Sequence, residues 1–268
     1  MRTYILTIMM TSALFAAVDS DLDGVIDETD QCPNTPITEL VDIKGCSTES
    51  LSSDHRYDLI IGGNYSEIDY NTNEKTDTYA TTLQVDYFYK NFSLQALSAY
   101  YSSESASYSS DGLTDTTLAA YYLVPINTDF SLRFGAGIVL PTFDSTLNNN
   151  NTDYIASING TYTINRLNLF AGYNFTKIND DDIPDLVTYQ NTHAYSGGVG
   201  YYMTPKWYAS TSYYQADGIY TSMEDIKSAS IYNFYSIDTN WFTSFSYAYG
   251  LSDSTSDHAF SLRLGYSF

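Results

Sequence analysis

The stretch FSLRFGAGIVL, residues Phe130–Leu140, alternates between large apolar side chains and small or polar ones over its whole length. A repeat of two residues is the period of a β-strand, whose successive side chains point to opposite faces, whereas an α-helix would mix the two sets. The stretch therefore predicts a strand with one apolar and one polar face. The apolar face would carry Phe130, Leu132, Phe134, Ala136, Ile138 and Leu140, and the polar face would carry Ser131, Arg133, Gly135 and Gly137.

Phrases of the same kind recur along the chain. They begin at Phe92, Leu167, Trp207 and Trp241, and together with the phrase at Phe130 they are spaced 34 to 40 residues apart. A short polar turn precedes each phrase, and a longer polar stretch and a second alternating segment follow it, which is the pattern of a repeated hairpin. Twelve strand segments result, near residues 55–68, 77–90, 92–104, 114–125, 129–140, 152–165, 166–177, 190–204, 205–216, 226–237, 240–251 and 257–268.

The lengths and faces of these segments are typical of a membrane barrel. Most have ten or more residues, enough for a tilted strand to cross a bilayer. An apolar face towards lipid and a face of Ser, Thr, Asn, Gly and Tyr towards the interior fit a closed barrel. The 28 tyrosines fit its aromatic girdles, because a phenol has one apolar and one wet end. We predict an all-β fold, an antiparallel transmembrane β-barrel of about 12 strands over residues 51–268.

The connections between the segments are unequal. One side has turns of two to four residues, and the other has loops such as 141–151, 178–189 and 217–225. In outer-membrane barrels the short turns face the periplasm and the long loops face outward. The outward loops are acidic, which indicates either solubility or a rim that gathers divalent cations and bridges to lipopolysaccharide phosphates. The acidic residues of this rim are Asp69, Glu74, Asp77, Glu104, Asp111, Asp115, Asp144, Asp153, Asp180, Asp181, Asp182, Asp185, Asp217, Glu224, Asp225, Asp253 and Asp257.

The closing residues FSLRLGYSF have alternate apolar side chains and end in an aromatic one. They resemble the C-terminal signal that the outer-membrane barrel-assembly machinery recognises. The resemblance implies this machinery and outer-membrane lipid as partners. The assembly signal would consist of Phe260, Leu262, Leu264, Tyr266 and Phe268.

Residues 1–17 have the order of a secretory signal peptide, with Arg2, an apolar run and then Ala16 and Ala17. A membrane helix is the alternative, but about 13 apolar residues fall short of the ~20 that cross a bilayer. We therefore expect an exported chain that resides in the outer membrane. Its formal net charge of −21 excludes nucleic acid as a partner, because phosphates require Lys and Arg for neutralisation.

The segment DSDLDGVIDETDQCPNTP, residues 19–36, places carboxylates at close spacing around Gly24. Calcium takes six to eight oxygen ligands, and such spacing wraps them around one ion where a glycine allows a sharp bend. The alternative is a solvated acidic linker that binds nothing tightly. The candidate ligands are the carboxylates of Asp19, Asp21, Asp23, Asp27 and Asp30 and the carbonyl of Val25.

Together with VDIKGC at residues 41–46, this segment resembles the thrombospondin type 3 repeats of the outer-membrane protein A family and its relatives. The resemblance implies a calcium-binding, disulfide-closed periplasmic element over residues 18–50. The only two cysteines, Cys32 and Cys46, lie in a chain expected to be exported, so a disulfide is predicted and a free catalytic cysteine is the alternative. In that family a domain that grips peptidoglycan usually follows. Here the predicted barrel follows instead, so cell-wall anchoring is not implied.

The polar face of the predicted barrel carries few ionisable residues, namely Asp58, Asp86, Arg133 and Arg263. They form either internal ion pairs that rigidify the barrel or an eyelet that sorts small solutes. We expect a small passive diffusion channel, and a non-conducting structural or surface-interaction barrel is the alternative. The small lumen residues expected to leave room for water are Gly135, Gly137, Gly198 and Gly200.

An outer-membrane hydrolase is a third possibility, for which His55, His193 and His258 are the available histidine bases. No segment carries the signature of an outer-membrane phospholipase or protease. A histidine at the rim is typical of an aromatic girdle, so we do not expect an enzyme. The candidate partners of His193 and His258 near the rim are Asp153, Asp257 and Ser196.

Overall fold

The computed structural model describes residues 21, 24–33, 35, 39–50, 54–69, 74–143 and 150–268. The predicted signal peptide and two predicted calcium ligands, Asp19 and Asp23, lie outside the described residues. The chain divides into two compact units, Met1–Asp54 and His55–Phe268. Within the described parts of both units, no helix is long and apolar enough to span a membrane.

The first unit contains a two-stranded antiparallel sheet formed by β1 (Glu39–Val41) and β2 (Ser47–Ser50). A disulfide joins Cys32 to Cys46, which confirms the pairing predicted from the two cysteines. Gly24 has a φ of 95°. Because residues with a Cβ rarely adopt this left-handed conformation, glycine is needed where the acidic segment turns.

The second unit consists of the following thirteen strands: β3 (His55–Ile68), β4 (Thr76–Tyr89), β5 (Phe92–Glu104), β6 (Ser109–Leu113), β7 (Thr116–Pro125), β8 (Phe130–Leu140), β9 (Asp153–Ile164), β10 (Leu167–Lys177), β11 (Thr192–Thr204), β12 (Trp207–Ala216), β13 (Ile226–Ser236), β14 (Trp241–Gly250) and β15 (His258–Ser267). All of them except β6 pair antiparallel in succession, and β15 pairs back to β3. The sheet therefore closes into a barrel, which removes its free edges. The predicted antiparallel barrel of 12 strands is confirmed.

The short connections lie at one end of the barrel, here called the turn end, and the long loops lie at the other, the loop end. At the turn end, residues 90–91, 165–166 and 205–206 each join two strands directly. Lys90 and Asn165 have φ values of 52° and 55°, the left-handed conformation that tight two-residue hairpin turns use. The chain enters β3 and leaves β15 at the same end.

The structure differs from the prediction near segment 114–125, where two strands, β6 and β7, pair with β5. At its loop end β5 pairs with β6, with Tyr100 opposite Leu113, whereas nearer the turn end it pairs with β7, with Leu97 opposite Thr117. The register differs by one residue between the two pairings, so residues 114–115 form a β-bulge. Alternation did not reveal β6, because its sequence SSDGL contains a single large apolar side chain.

The apolar face of the strands points outward. Leu262 is 62% exposed and Phe268 is 64% exposed, and no large side chain among the described residues is fully buried. An apolar exterior of this kind is built for lipid surroundings. All five residues of the proposed assembly signal lie on it. Two aromatic belts flank its middle, with Tyr57, Tyr87, Tyr89, Tyr122, Tyr162, Tyr201, Trp207, Tyr235, Trp241 and Tyr266 at the turn end and Tyr65, Tyr79, Tyr100, Tyr154, Tyr173, Tyr195, Tyr213, Tyr247 and Tyr249 at the loop end.

Candidate functional site

The interior of the barrel is the candidate site, and the four predicted lumen charges lie on its wall. Asp58 is opposite Asp86 on the neighbouring strand, and each of these residues is 7% exposed. Arg133 on β8 and Arg263 on β15 face the same interior. Alternation along the strands predicted these positions because residues two apart share a face.

Hydrogen bonds run along the wall from Arg263 on β15 through Asp86 on β4 to Tyr121 on β7. Arg263 Nη1 donates to Gln84 Oε1 at 3.1 Å, and Gln84 Nε2 donates to Asp86 Oδ2 at 2.7 Å. Gln95 Nε2 donates to the other carboxylate oxygen of Asp86 at 2.9 Å. The Tyr121 hydroxyl donates to Gln95 Oε1 at 3.4 Å. The Asp86 carboxylate is therefore satisfied by two neutral amides.

Arg133 lies at the other end of this chain of contacts. Its guanidinium carbon is 3.8 Å from the centroid of the Tyr121 ring, a cation–π geometry. Its Nη2 donates to Ser93 Oγ at 3.2 Å. The six residues that we call the lumen belt are Arg263, Gln84, Asp86, Gln95, Tyr121 and Arg133.

The predicted ion pairs among the four lumen charges do not form, which corrects that interpretation. Asp58 is paired with Arg56 instead, with Nε 3.2 Å from Oδ1. In the part of the chain that the structure describes, neither Arg133 nor Arg263 has an ion-pair partner. The physical reason is that Gln84 separates Arg263 from Asp86, and that Gln95 and the Tyr121 ring separate Arg133 from it. Arg56 was not predicted as a lumen residue, although its spacing of two from Asp58 is the signal for it.

Aromatic rings occupy the space over several lumen glycines. At these positions an added Cβ would collide with a ring from a neighbouring strand. The prediction that the glycines leave room for water is therefore wrong where a ring lies over them. A ring that packs against a glycine lies close to the barrel wall, however, so it narrows the lumen less than a ring that extends towards the barrel axis. The pairs are Tyr121 over Gly135, Phe170 over Gly198, Tyr208 over Gly200 and Phe242 over Gly265.

Small hydroxyl and amide side chains line the wall from β9 to β14. A cavity of about 630 Å³ lies against this wall, and a second one of about 470 Å³ lies beside Arg133. Sites for small ligands have volumes of about 300–1,000 Å³. The larger cavity is lined by residues that include Asn168, Ser196, Ser210, Ser212, Ser230, Tyr232 and Ser246, and the smaller by residues that include Ser131, Arg133, Ser157, Asn159, Thr161 and Asn174.

Hydrogen bonds tie outer loops together at the loop end. The main-chain N–H of Asn151 donates to Asp180 Oδ1 at 3.1 Å, which joins the β8–β9 and β10–β11 loops. Gln190 Nε2 donates to the Gly218 carbonyl at 2.8 Å, which joins the β10–β11 and β12–β13 loops. The β10–β11 loop is thus held on two sides.

Desolvation changes the acidity of two groups in these loops. Burial raises the pKa of the Asp180 carboxyl, the hydrogen bond from the Asn151 N–H lowers it in part, and the charges of Asp115 and Asp181 raise it again. Burial is also the main cause that raises the pKa of Tyr189 to about 12. Asp153, predicted as a rim residue, is 8% exposed and faces the interior at the start of β9. The rim is therefore partly a packed polar structure.

The three histidines lie on the outer face, in the aromatic belts. Each ring nitrogen Nδ1 is within hydrogen-bond distance of a tyrosine hydroxyl, at 2.7 Å for His55 and Tyr87, 2.8 Å for His193 and Tyr173, and 2.9 Å for His258 and Tyr247. Ser196 and Asp153 face the interior instead, so the structure does not bring them to the histidines. Asp257 Oδ2 accepts the main-chain N–H of Asp69 at 3.0 Å. The predicted girdle role fits this arrangement.

Four predicted calcium ligands of the first unit are described, namely Asp21, Val25, Asp27 and Asp30. Asp21 Oδ2 accepts the N–H of Thr35 and Asp30 Oδ1 accepts the N–H of Cys32, both at 2.8 Å. Across the described ranges, no group of three or more His, Cys, Asp or Glu side chains is arranged to hold a metal ion. The carboxylate oxygens and the left-handed turn at Gly24 are nevertheless the donor chemistry and the bend that calcium loops use.

No protein-family model matches the chain. Among curated proteins, alpha-agarase of Alteromonas agarilytica is 53% identical to it over 36 residues, which are 13% of this chain. The chain spans 2% of the length of that protein. The similarity concerns a short segment and does not extend to the activity of the agarase.

Solved structures are similar over most of the chain. An outer membrane channel from Pseudomonas putida F1 has a TM-score of 0.69 at 12% identity, covering 80% of this chain and 95% of that one. The NanC porin has a TM-score of 0.52 at 16% identity over 78% of this chain and 98% of its own. The KdgM porin, solved in complex with disordered oligogalacturonate, has a TM-score of 0.50 at 15% identity over 77% and 98%. The chain therefore has the closed antiparallel barrel fold found in porin-like outer-membrane channels.

Proposed function

We propose that the barrel resides in the outer membrane and is a passive diffusion channel for small hydrophilic solutes. The observation that carries this proposal is the interior wall, where hydroxyl, amide and charged side chains face the lumen and aromatic rings lie against glycines. An apolar exterior and a polar interior are the distribution that a water-filled barrel in lipid requires. The lumen cavities of about 470 and 630 Å³ support the same function.

Liposome swelling with sugars and amino acids of graded size tests the proposal. We expect swelling rates that fall as the solute grows, because the wall sets the diameter that a solute must pass. The absence of swelling with every solute would contradict a channel. It would favour the alternative of a non-conducting barrel that acts through its surface, to which the hydrogen-bonded outer loops also point.

The acidic loop end has a proposed role at the surface of the cell. Its carboxylates raise the local concentration of cations and, through divalent ions, bridge to lipopolysaccharide phosphates. Reversal potentials in asymmetric salt of low ionic strength are expected to show a preference for cations. Anion selectivity under those conditions would contradict this role of the rim.

We also propose that the outward-facing C-terminal residues are the recognition signal for the barrel-assembly machinery. The alternation from Phe260 to Phe268 places every second side chain on the lipid-facing surface. Phe268→Ala is expected to slow assembly in cells while leaving refolding in detergent unchanged. Equal effects on both would assign Phe268 to stability alone.

For the first unit we propose calcium binding in the periplasm. Carboxylate oxygens within one short segment, the left-handed Gly24 and the closing disulfide support it. Calorimetric titration of the purified full chain with calcium should give heat that Asp21→Asn together with Asp30→Asn reduces. An absence of heat at millimolar calcium would leave an acidic linker as the function of this segment.

A further inference from the structure

We propose that the cavity beside Arg133 is a binding site for the carboxylate of a small polyhydroxylated anion of the sugar-acid class. The site deepens the proposed channel function, on which its role in sorting solutes rests. Binding itself does not require conduction, so the two proposals are separable by experiment.

Arg133 is held in place without being neutralised. The ring of Tyr121 at 3.8 Å and the hydroxyl of Ser93 at 3.2 Å fix its orientation. Guanidinium has five N–H donors, and the contact with Ser93 uses one of them. Arginine side chains that leave water are usually paired with an acid, and no ion pair to this half-buried one exists among the residues that the structure describes. The group is therefore preorganised to receive an anion.

The nearest acidic residue of the lumen belt does not fill this role. Both carboxylate oxygens of Asp86 accept hydrogen bonds from the amides of Gln84 and Gln95, at 2.7 and 2.9 Å. The Tyr121 ring stands between Asp86 and the guanidinium in the chain of contacts. The positive charge of Arg133 is therefore available to bind an anionic solute.

Hydroxyl and amide groups form most of the rest of the cavity, together with the side chains of Tyr121, Leu123 and Ile155. Its volume of about 470 Å³ suits a small solute. Ser157, Asn159 and Thr161 line it on β9 and Asn174 on β10. The enclosed Oδ1 of Asn174 has no hydrogen-bond partner within the described residues, whereas buried acceptors are normally hydrogen-bonded. A hydroxyl of the solute is the donor that this arrangement fits.

The geometry of the Arg133 side chain indicates the chemical class of the ligand. The planar fork of arginine matches a carboxylate through two parallel hydrogen bonds. The serine, threonine and asparagine side chains of the lining are donors and acceptors for hydroxyl groups, and Leu123 and Ile155 offer apolar contacts to a carbon skeleton. A carboxylate on a hydroxylated carbon skeleton therefore satisfies all parts of the site. A neutral sugar would leave the guanidinium without an anion, and a cation would be repelled by it.

The acidic loop end does not cancel this attraction. Arg133 lies seven positions before Leu140, the last residue of β8, which is roughly 23 Å along an extended strand. The Debye length at physiological ionic strength is about 8 Å. The loop carboxylates therefore act on solutes at the mouth, and Arg133 acts on those inside.

Binding of glucuronate and of glucose to the purified full chain in detergent micelles, followed by saturation-transfer NMR, tests the site. We expect glucuronate to bind more tightly than glucose, and Arg133→Gln to weaken glucuronate binding about tenfold, the scale of one lost charge-assisted hydrogen bond. Arg133→Lys keeps the charge but not the fork, so an intermediate loss is expected. Heat-modifiable mobility on gels confirms that each variant remains a folded barrel.

Arg56→Gln is the matched control, because it removes the same charge from the same lumen at an arginine that is already paired with Asp58. Glucuronate binding should be unchanged in it. Equal binding of glucuronate and glucose, or equal losses in the Arg133→Gln and Arg56→Gln variants, would overturn the proposal.

Conductance in planar bilayers separates this inference from the channel function. In the wild type we expect current that glucuronate reduces, and in Arg133→Gln current that it leaves unchanged. Current without glucuronate binding would retain the channel and reject the site. Glucuronate binding without any current would retain the site and reject the channel.

Discussion

The ring of Phe242 lies over Gly265 on the adjacent strand, so that a Cβ built on the glycine would overlap the ring. The two residues are direct partners in the register of β14 and β15. The contact holds a large apolar side chain against the lumen wall. It explains how the lumen accommodates aromatic side chains without their extending towards the axis.

Gly265→Ala tests this contact. The new methyl group displaces the Phe242 ring, and overpacking of this kind costs about 1–3 kcal/mol. We expect a lower free energy of unfolding in urea, measured in detergent micelles. Gly63→Ala is the matched control, because a Cβ there meets nothing within 4 Å. Equal stability of the two variants would show that the ring and the glycine are not in close contact.

The turn between β13 and β14 gives a prediction about pH. The Asp238 carboxylate accepts the main-chain N–H groups of Trp241 and Asn240, both at 2.8 Å, and these bonds lower its pKa. A carboxyl with a lowered pKa stabilises the folded state above its unfolded pKa, and this stabilisation is lost as the pH falls through the folded pKa. Asp238→Ala should therefore lower Tm at pH 7, and its difference from the wild type should shrink below about pH 4.

The turn between β7 and β8 supplies the control for that experiment. Asn127 Oδ1 accepts the N–H groups of Asp129 and Phe130 at 2.9 and 2.8 Å, in the same pattern but with an accepting side chain that does not titrate. The Tm difference between Asn127→Ala and the wild type should not depend on pH. A parallel change in both variants would assign the effect to general acid destabilisation.

The stability of the folded β10–β11 loop around Asp180 is expected to depend on pH in the opposite sense. Because burial raises the pKa of Asp180, ionisation of its carboxyl weakens the folded loop. The hydrogen bond from the Asn151 N–H favours the ionised carboxyl, but burial is the larger cause. The folded loop should therefore be most stable at low pH and should lose stability as the pH rises from about 3.9 through the raised pKa. The protection of the Asn151 amide in detergent micelles, measured as its exchange rate relative to the intrinsic rate at each pH, should fall over this range.

Asp180→Asn removes that titration and should leave the exchange rate of Asn151 without this extra dependence on pH. Asp253→Asn in the β14–β15 loop removes the same charge from another loop and should behave as the wild type. An unchanged profile in Asp180→Asn would contradict the assignment.

The disulfide of the first unit is expected to be required for its compactness. Closing the loop between Cys32 and Cys46, 14 positions apart, is worth roughly 3 kcal/mol in the chain-entropy description. After reduction, limited proteolysis should cut within residues 32–46 faster, while the barrel, which holds no cysteine, keeps its cleavage rate. Equal protection of the reduced and oxidised protein would mean that other contacts hold this unit.

The alternation of apolar and polar residues along the strands predicted part of the lumen site. Asp58, Asp86, Arg133 and Arg263 lie on the interior wall as their parity predicted. Of the two interpretations of these charges, the one with ion pairs among them was wrong, because partners on a closed wall depend on which strands are neighbours. The amides of Gln84 and Gln95 occupy the Asp86 carboxylate in place of an arginine. Because these residues are uncharged, the pattern of charged residues in the sequence did not indicate them.

The sequence by itself determined the strands, their two faces, the short turns and the aromatic belts, since each of these is a local pattern of a few residues with a period of two. Only the tertiary structure decided that Arg263 meets Gln84, 179 positions away, and that Phe242 lies over Gly265. The first contact depends on the closure of β15 onto β3, which is a property of the whole ring. The second depends on the register between β14 and β15, which no single segment fixes.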